Sequence, residues 1–342
     1  MIKRRQKWNH KKRFKIRHIN ESLIQMNFIT IKLIFPFLLL FIYFFINRYK
    51  KIKINQINQI NQINETKICI CTMAKQENLY IREYLEHYKN YGINKIFLYD
   101  NNDIDGEKPE DVISDYIKSG FVELFKWRGQ KGVAFKMLND CYKKHKDEYD
   151  WVMLSEMDEF INLHNYTKVS AFLNEPKFKN CEVVHLNLVC HTDNEQLHYE
   201  NKPVKERFPK IVPSTMPGGK TLEIKPIMRG HLNNTYIDCL HRGNMGAKDC
   251  DGFGQAGKFG AIYTKEPDTT YYYYDHYYAK STEEFAKKVI RRGGFELTDK
   301  FCIDRIRKYF DENTLTMEKI LILENGTGFD LSEFKNRLKN KL

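Results

Sequence analysis

The apolar positions of this chain change period along its length, and each period predicts a different element. Residues 28–46, FITIKLIFPFLLLFIYFFI, are apolar throughout except for Thr30 and Lys32. That is about the ~20 residues a helix needs to cross a bilayer core. Further on, KICICTM (67–73) is a short β-type run that AKQEN breaks. Ile81, Tyr84, Leu85 and Tyr88 then fall at i, i+3, i+4 and i+7, the spacing of one buried helix face. Asn78 is the expected cap of that helix. Gly92 fits the position just past its end, where a left-handed backbone is needed. INKIFLYD (93–100) is a second strand, so the segment is a βαβ unit and predicts a parallel sheet.

Residues 131–147 carry a third amphipathic pattern, with Val133, Met137, Leu138 and Cys141 on its apolar stripe. WVML (151–154) is wholly apolar, as in a strand buried on both faces. Residues 216–243 alternate short apolar runs with Gly- and Pro-rich turns, and YYYYDHYY (271–278) is strand-like by tyrosine content. Ser281 and Glu284 have the spacing of a capping box, a structural role, and 300–342 is helical and charged. The expected fold class is α/β: a mostly parallel sheet flanked by helices, behind an N-terminal transmembrane helix.

Charge sharpens that division. The 342-residue chain carries +12, which at first suggests nucleic acid. Residues 1–53 hold 14 Lys/Arg against a single acid, Glu21, while the remainder holds 42 basic and 43 acidic residues. The folded part is therefore near neutral, and no nucleic-acid partner is expected. Nine Lys/Arg precede the apolar segment and four follow it. The more basic side stays cytosolic, so the bulk of the chain is expected in a lumen. A cleaved signal peptide would need a small-residue cleavage site, and none follows. The expected organisation is a cytosolic tail (1–27), a signal anchor (28–46), a stem (47–66) containing INQINQINQIN, a catalytic domain (67–298) and a helical C-terminal segment (299–342). Sequons at Asn64, Asn165, Asn233 and Asn325 would be open to glycosylation there. Eight cysteines permit disulfides without revealing the pairing. Cys69 and Cys71 alternate on one strand and are read first as core.

Polar side chains collect where the strands end. Glu77 follows the first strand, and Asp100, Asn101, Asn102, Asp103 and Asp105 follow the second. Ligands of open α/β sheets bind beyond the carboxyl ends of the strands. The WVML strand runs into Ser155-Glu156-Met157-Asp158-Glu159-Phe160. Three carboxylates there are costly unless a cation balances them. On an extended chain Glu156 and Asp158 point the same way and are expected to share one cation, Mn²⁺ or Mg²⁺. An exposed acidic turn without metal is the alternative.

With these residues in view, the chain resembles GT-A-fold glycosyltransferases of the family 2 and family 92 type, whose hallmark is a strand followed by Asp-x-Asp-Glu-Phe. Here the motif reads Glu-Met-Asp-Glu-Phe, with Glu156 in the first Asp position. Residues 71–106 resemble the family's opening block, with Asp103 where Ser is common. Gln130, Asn139, Asp140 and Cys141 resemble its pattern before the acidic strand. Residues 275–294 resemble its C-terminal block, with His276, Lys280, Ser281, Lys288 and Arg292 in matching places.

The resemblance implies transfer of a sugar from a nucleotide-sugar donor, often UDP-linked, to a glycan, glycoprotein or glycolipid hydroxyl with inversion. It implies that Asp100 contacts the base, Asp158 holds the metal, and Glu156 ligates the metal or meets the donor ribose. Glu77, Asn101, Asp105, Glu159 and Lys280 would line the donor cleft. Lys225, Arg229, His231 and His241 are cationic side chains that could meet a diphosphate, each as readily a solvated loop residue. Asp193, His231 and His276 are candidates for the general base that inversion needs. The lumenal orientation then means the membrane of the ER or Golgi, with a single type II span. The rival readings are a catalytically silent homologue and a nucleotidyltransferase. The latter usually carries a Gly-rich phosphate loop, and 72–78 (TMAKQEN) has no glycine.

Overall fold

The structure, a computed structural model, describes residues 66–213, 223–233, 235–237, 239–243, 248–256, 268–291 and 298–340, together with Phe44 and Arg48. The chain divides into two units, 1–65 and 66–342. The apolar segment 28–46 falls in the first and, apart from Phe44, lies outside the described residues. Among the described residues, no helix is long and apolar enough to cross a membrane.

The second unit is an α/β body. β1 (Ile68–Ala74), α1 (Ile81–Asn90) and β2 (Lys95–Asp100) form the expected βαβ unit, with β1 and β2 parallel. The four apolar positions of α1 are all buried. Gly92 has φ +76°, the left-handed backbone that ends the helix without a Cβ penalty. Asn78 does not cap it. Tyr80 holds the N-cap position with no side-chain bond, while the Asn78 amides donate to Glu107 (3.0 Å) and to the Lys108 carbonyl (3.1 Å). Asn78 thus ties the loop after β1 to the loop after β2.

The chain continues through α2 (Glu110–Lys118), β3 (Val122–Lys126), α3 (Ala134–His145), β4 (Trp151–Leu154) and β5 (Glu159–Leu163). A short α4 (Val169–Leu173) leads to β6 (Val183–Cys190), and α5 (Val204–Arg207) to β7 (Ile224–Arg229), β8 (Asp249–Asp251) and β9 (Tyr272–His276). Four helices complete the body: α6 (Thr282–Ile290), α7 (Asp299–Glu312), α8 (Met317–Thr327) and α9 (Ser332–Lys339). Ser281 and Glu284 form the expected capping box at the start of α6.

The sheet runs β3-β2-β1-β4-β7-β6-β9-β5, with β8 beside β6. Its first four strands are parallel. The rest departs from the expected mostly parallel sheet, because β7 runs antiparallel to both β4 and β6, and β5 antiparallel to β9. The sheet is therefore mixed. Alternate residues of β1 enter different cores: Ile68 and Ile70 pack on one side, Cys69 and Cys71 on the other. Cys71 is bonded to Cys141 of α3, and Cys181 to Cys250 of β8. Cys69 remains a buried thiol. The C-terminal helices are not an appendage, since α7, α8 and α9 bury a third apolar cluster against α6.

Candidate active site

β1, β2 and β4 end on the same edge; from β1 the chain moves out through β2 to β3, then crosses back to lay β4 on the other side of β1. This is a topological switch point, where open α/β sheets bind ligands. A cavity of about 860 Å³ opens there. One wall is the loops after β1 and β2, including Lys75, Glu77, Asn102 and Asp103; the other is α6 and the turn before it, including Lys280, Lys288 and Arg291. Lys75 and Asp103 form an ion pair on the first wall, 2.7 Å apart. Lys280 has φ +53° and stands 3.6 Å over the Tyr80 ring, with its Nζ 3.7 Å from Glu77. Arg291 donates to the same Glu77 carboxylate and to the Lys75 carbonyl (2.9 Å). Burial pulls the Lys280 and Lys288 ammoniums below the ordinary lysine range, against the pull of Glu77 and Asp158.

The carboxylate turn adjoins this cavity. It is not an extended strand: the Glu159 amide donates to the Glu156 carbonyl (3.1 Å), so residues 156–159 form a turn. Glu156 and Asp158 consequently have different partners. Glu156 takes Lys225 at 2.7 Å, and Asp158 takes Lys288 at 2.5 Å. Lys225 also reaches Glu159, 2.9 Å away and sealed from solvent. Burial pushes Glu159 up to about 8, whereas for Glu156 burial is outweighed by Lys225, bringing it down to about 2. Burial also opposes the charge on Asp158, but Lys288, His276 and Lys280 hold it well below the ordinary carboxylate range.

His276, at the end of β9, lies with Nε2 3.7 Å from Asp158. Burial lowers its pKa to about 4, so the ring is neutral near pH 7 and keeps a lone pair for a ligand. Among the described residues, no three His, Cys, Asp or Glu side chains are grouped to hold a metal ion. The donor set nevertheless fits one that takes its remaining ligands from phosphate and water. Asp158 and His276 offer one oxygen and one neutral nitrogen side by side, and Mg²⁺-type sites commonly have only one or two protein carboxylates. The expectation that Glu156 and Asp158 converge is not met, because Glu156 is turned to Lys225.

The other sequence candidates scatter. Glu77 and Lys280 line the cavity. Asp100 is fully buried behind it, bonded to Arg128 (2.8 Å) and Asn102 (2.7 Å). Arg128 also donates to the carbonyls of Asp103 (3.0 Å), Gly106 (2.8 Å) and Glu107 (2.9 Å), so the Asp100–Arg128 pair shapes the wall. Asn101 is buried, its amide on the Trp127 and Gln130 carbonyls, and Asp105 is exposed and does not line the cavity. Asp193 is sealed among Tyr309, Lys319 and the Glu195 amide. His231 is a surface residue beside Asp147. His241 holds the Ile224 carbonyl (3.0 Å), and Arg229 stacks on Trp151 and donates to the Cys181 carbonyl (2.7 Å). Neither Asp193 nor His231 lines the cavity. Sequence reasoning named Lys288 only as a match to the family's C-terminal block, without a role, and passed over Arg128 and Arg291. The run Lys287-Lys288-Val289-Ile290-Arg291 at the end of α6 was the available signal.

A profile of glycosyltransferase family 92 matches residues 64–242, just over half of the chain. The chain belongs to glycosyltransferase family 92. A family 92 protein of Oryza sativa subsp. japonica is 25% identical over 126 residues, 36% of this chain and 21% of that one. One of Arabidopsis thaliana is 27% identical over 95 residues, 28% of this chain and 16% of the relative. These matches thus span only about a fifth of the relatives' lengths. Among solved structures, S. aureus TarS 1-349 in complex with UDP-GlcNAc aligns with a TM-score of 0.39 at 13% identity, covering 79% of this chain and 80% of that one. The mannosyltransferase PcManGT from Pyrobaculum calidifontis, in complex with GDP-Man and Mn²⁺, aligns with a TM-score of 0.28 at 9% identity over 39% of this chain and 37% of its own. Both structural likenesses are distant.

Proposed function

We propose that this family 92 chain is a GT-A-like glycosyltransferase that moves a sugar from a UDP-linked donor to a glycan hydroxyl, inverting the anomeric centre. The observation that carries the reading is the cavity at the switch point, whose wall residue Lys288 is ion-paired with Asp158. A nucleoside diphosphate suits it: Lys280, Lys288 and Arg291 line one wall and offer charge-assisted hydrogen bonds to phosphate oxygens. Asn102 and the Lys75–Asp103 pair offer donors and acceptors for the nucleoside. Asp100, expected to touch the base, acts instead through Arg128 and Asn102 on the shape of that wall.

Asp158 and His276 would hold Mn²⁺ or Mg²⁺. Such an ion supplies Lewis-acid stabilisation of a leaving diphosphate. Lys288, now on Asp158, would be free to turn to the phosphates once the carboxylate has another cation. His276 is thereby read as a ligand and no longer as the base.

The anchor at 28–46 and a type II orientation in the ER or Golgi membrane belong to the same proposal. Two disulfides, Cys71–Cys141 and Cys181–Cys250, are in keeping with an oxidising lumen. One observation favours the silent-homologue alternative: Glu156, in place of the family's Asp, is engaged by Lys225.

The test uses the full-length chain in detergent with Mn²⁺ and a panel of UDP-sugars, reading release of free UDP. Release from one donor, lost with EDTA and in Asp158→Ala, is the expected result. No release from any donor by folded protein that binds UDP would favour the silent homologue.

A further inference from the structure

We infer that Glu223 is the general base of the proposed transfer, held in place by Lys308 from the C-terminal helix α7. This rests on the glycosyltransferase reading above and assigns the one catalytic role that the donor cavity leaves empty.

Asp158 and Glu156 belong to the acidic turn and already carry lysines. Glu223 comes from elsewhere, immediately before β7, with its carbonyl accepting the Leu188 amide of β6 at 2.7 Å. Residues two apart on a strand project from the same face. Glu223 therefore shares its face with Lys225, whose ammonium reaches Glu156 and Glu159. That sets Glu223 beside the acidic turn, outside the lining of the donor cavity.

A second line of contacts arrives from the cavity side. Lys288 bonds Asp158, donates to the Tyr278 carbonyl (3.2 Å) and lies 4.2 Å from the centre of its ring. The same ring has Lys308 at 5.4 Å, and Lys308 is 3.2 Å from Glu223 and 4.0 Å from Glu312. Asp158, Lys288, Tyr278, Lys308 and Glu223 thus form one continuous arc. The diphosphate-binding lysine stands at one end and a solvent-reachable carboxylate, 22% exposed, at the other.

The other buried carboxylates are less open to solvent than Glu223, and each is held by a partner: Glu77 by Arg291, Glu284 by Arg207 and Asp275 by His191. Glu159 is sealed against Lys225, Asp193 against Lys319, and Asp100 against Arg128. Glu223 and Glu312 share Lys308 and are driven apart. Burial raises both, but Lys308, then His276 and His241, bring Glu223 below the ordinary range, while Glu312 stays above it. Glu223 is thus the ionised member of the pair, and an ionised carboxylate can accept a proton.

In the step itself, the acceptor hydroxyl gives its proton to a Glu223 oxygen as its own oxygen bonds the anomeric carbon. The bond from that carbon to the phosphate oxygen breaks, and its electron pair leaves with the UDP. Water in place of the acceptor makes the same demand, so donor hydrolysis reports on the base.

The experiment compares wild type and Glu223→Gln, both full-length, with UDP-galactose, UDP-glucose and UDP-N-acetylglucosamine, with and without sodium azide. Azide is a nucleophile with no proton to lose. UDP release by Glu223→Gln is expected to fall about 10²–10⁴-fold, the usual range for a general base. UDP affinity and melting temperature are expected to stay at wild-type values, and azide to restore release with formation of a glycosyl azide. Glu223→Asp, which keeps a charge for Lys308 but withdraws it by one methylene, guards against a folding failure. It is expected to lose at least about tenfold and to be rescued likewise. Undiminished release by Glu223→Gln overturns the inference, as does a loss that azide cannot repair. Release by wild type from none of the donors overturns the transferase reading itself, and the inference with it.

Discussion

Two aspartates of this protein are buried against lysines, and only one of the two lysines lines the donor cavity. Asp158 and Lys288 are 5% and 11% exposed, and Lys288 lines the donor cavity. Asp193 and Lys319 are each 1% exposed, with Tyr309 closing over the carboxylate. Both pairs look alike in composition, distance and sequence separation. The difference lies in what surrounds them. A lysine at a cavity wall can leave its aspartate for a ligand, since water or phosphate can receive it. A sealed pair has nowhere to send either charge, so it serves to dock α7 and α8 onto the end of β6. Burial of an ion pair measures a cost of desolvation. Access decides whether that cost is spent on a ligand or on the fold.

The largest effect should come from breaking the sealed pair. Asp193→Asn leaves Lys319 buried without its main counter-charge and is expected to cost about 3–5 kcal/mol, read by chemical denaturation. Asp193→Asn with Lys319→Met should recover most of it. Asp158→Asn should cost less than about 1 kcal/mol, because Lys288 can turn to the cavity, while abolishing metal-dependent UDP release. Equal destabilisation by the two Asn variants would erase the distinction.

Lys288→Met sharpens the comparison from the other side. Loss of one charge-assisted bond to phosphate should weaken UDP binding about tenfold by calorimetry. Lys319→Met should leave the affinity of the molecules that remain folded unchanged. A Lys288→Met protein with wild-type affinity would place the lysine with the fold.

An effect confined to acid pH concerns His87 of α1, whose ring donates from Nε2 to the Ile161 carbonyl at 2.9 Å. Burial and then Lys205 lower its pKa to about 3. Its folded value lies below the unfolded 6.5, so its stabilisation is present above pH 6.5 and is lost as pH falls towards 3. The slope is at most about 1.4 kcal/mol per pH unit. His87→Gln should flatten the acid side of a melting-temperature profile. An unchanged profile would mean that the ring is hydrated when charged.

Much of the first half of the sheet was legible. The period of α1, the run of β4 and the box at Ser281 and Glu284 are local patterns, and the structure keeps them. Asn78 misled because its side chain caps no helix and instead spans to another loop. The sheet beyond β4 was misjudged because apolar runs carry no mark of direction. β7 comes from a stretch read only as short apolar runs between turns, and it runs antiparallel to both neighbours.

For the site, the sequence placed carboxylates at the ends of strands, because a turn after a buried strand is where polar groups first regain water. It could not say which cation each would meet. Glu77 meets Arg291 across 214 residues and Asp158 meets Lys288 across 130, separations at which no local period operates. The sequence by itself determined the elements, the acidic turn and the division between a basic terminus and a near-neutral body. Each of these depends on neighbours within a few residues. Tertiary structure alone decided that the lysine on Asp158 lines a cavity and the lysine on Asp193 does not, since access to solvent is a property of everything packed around a side chain.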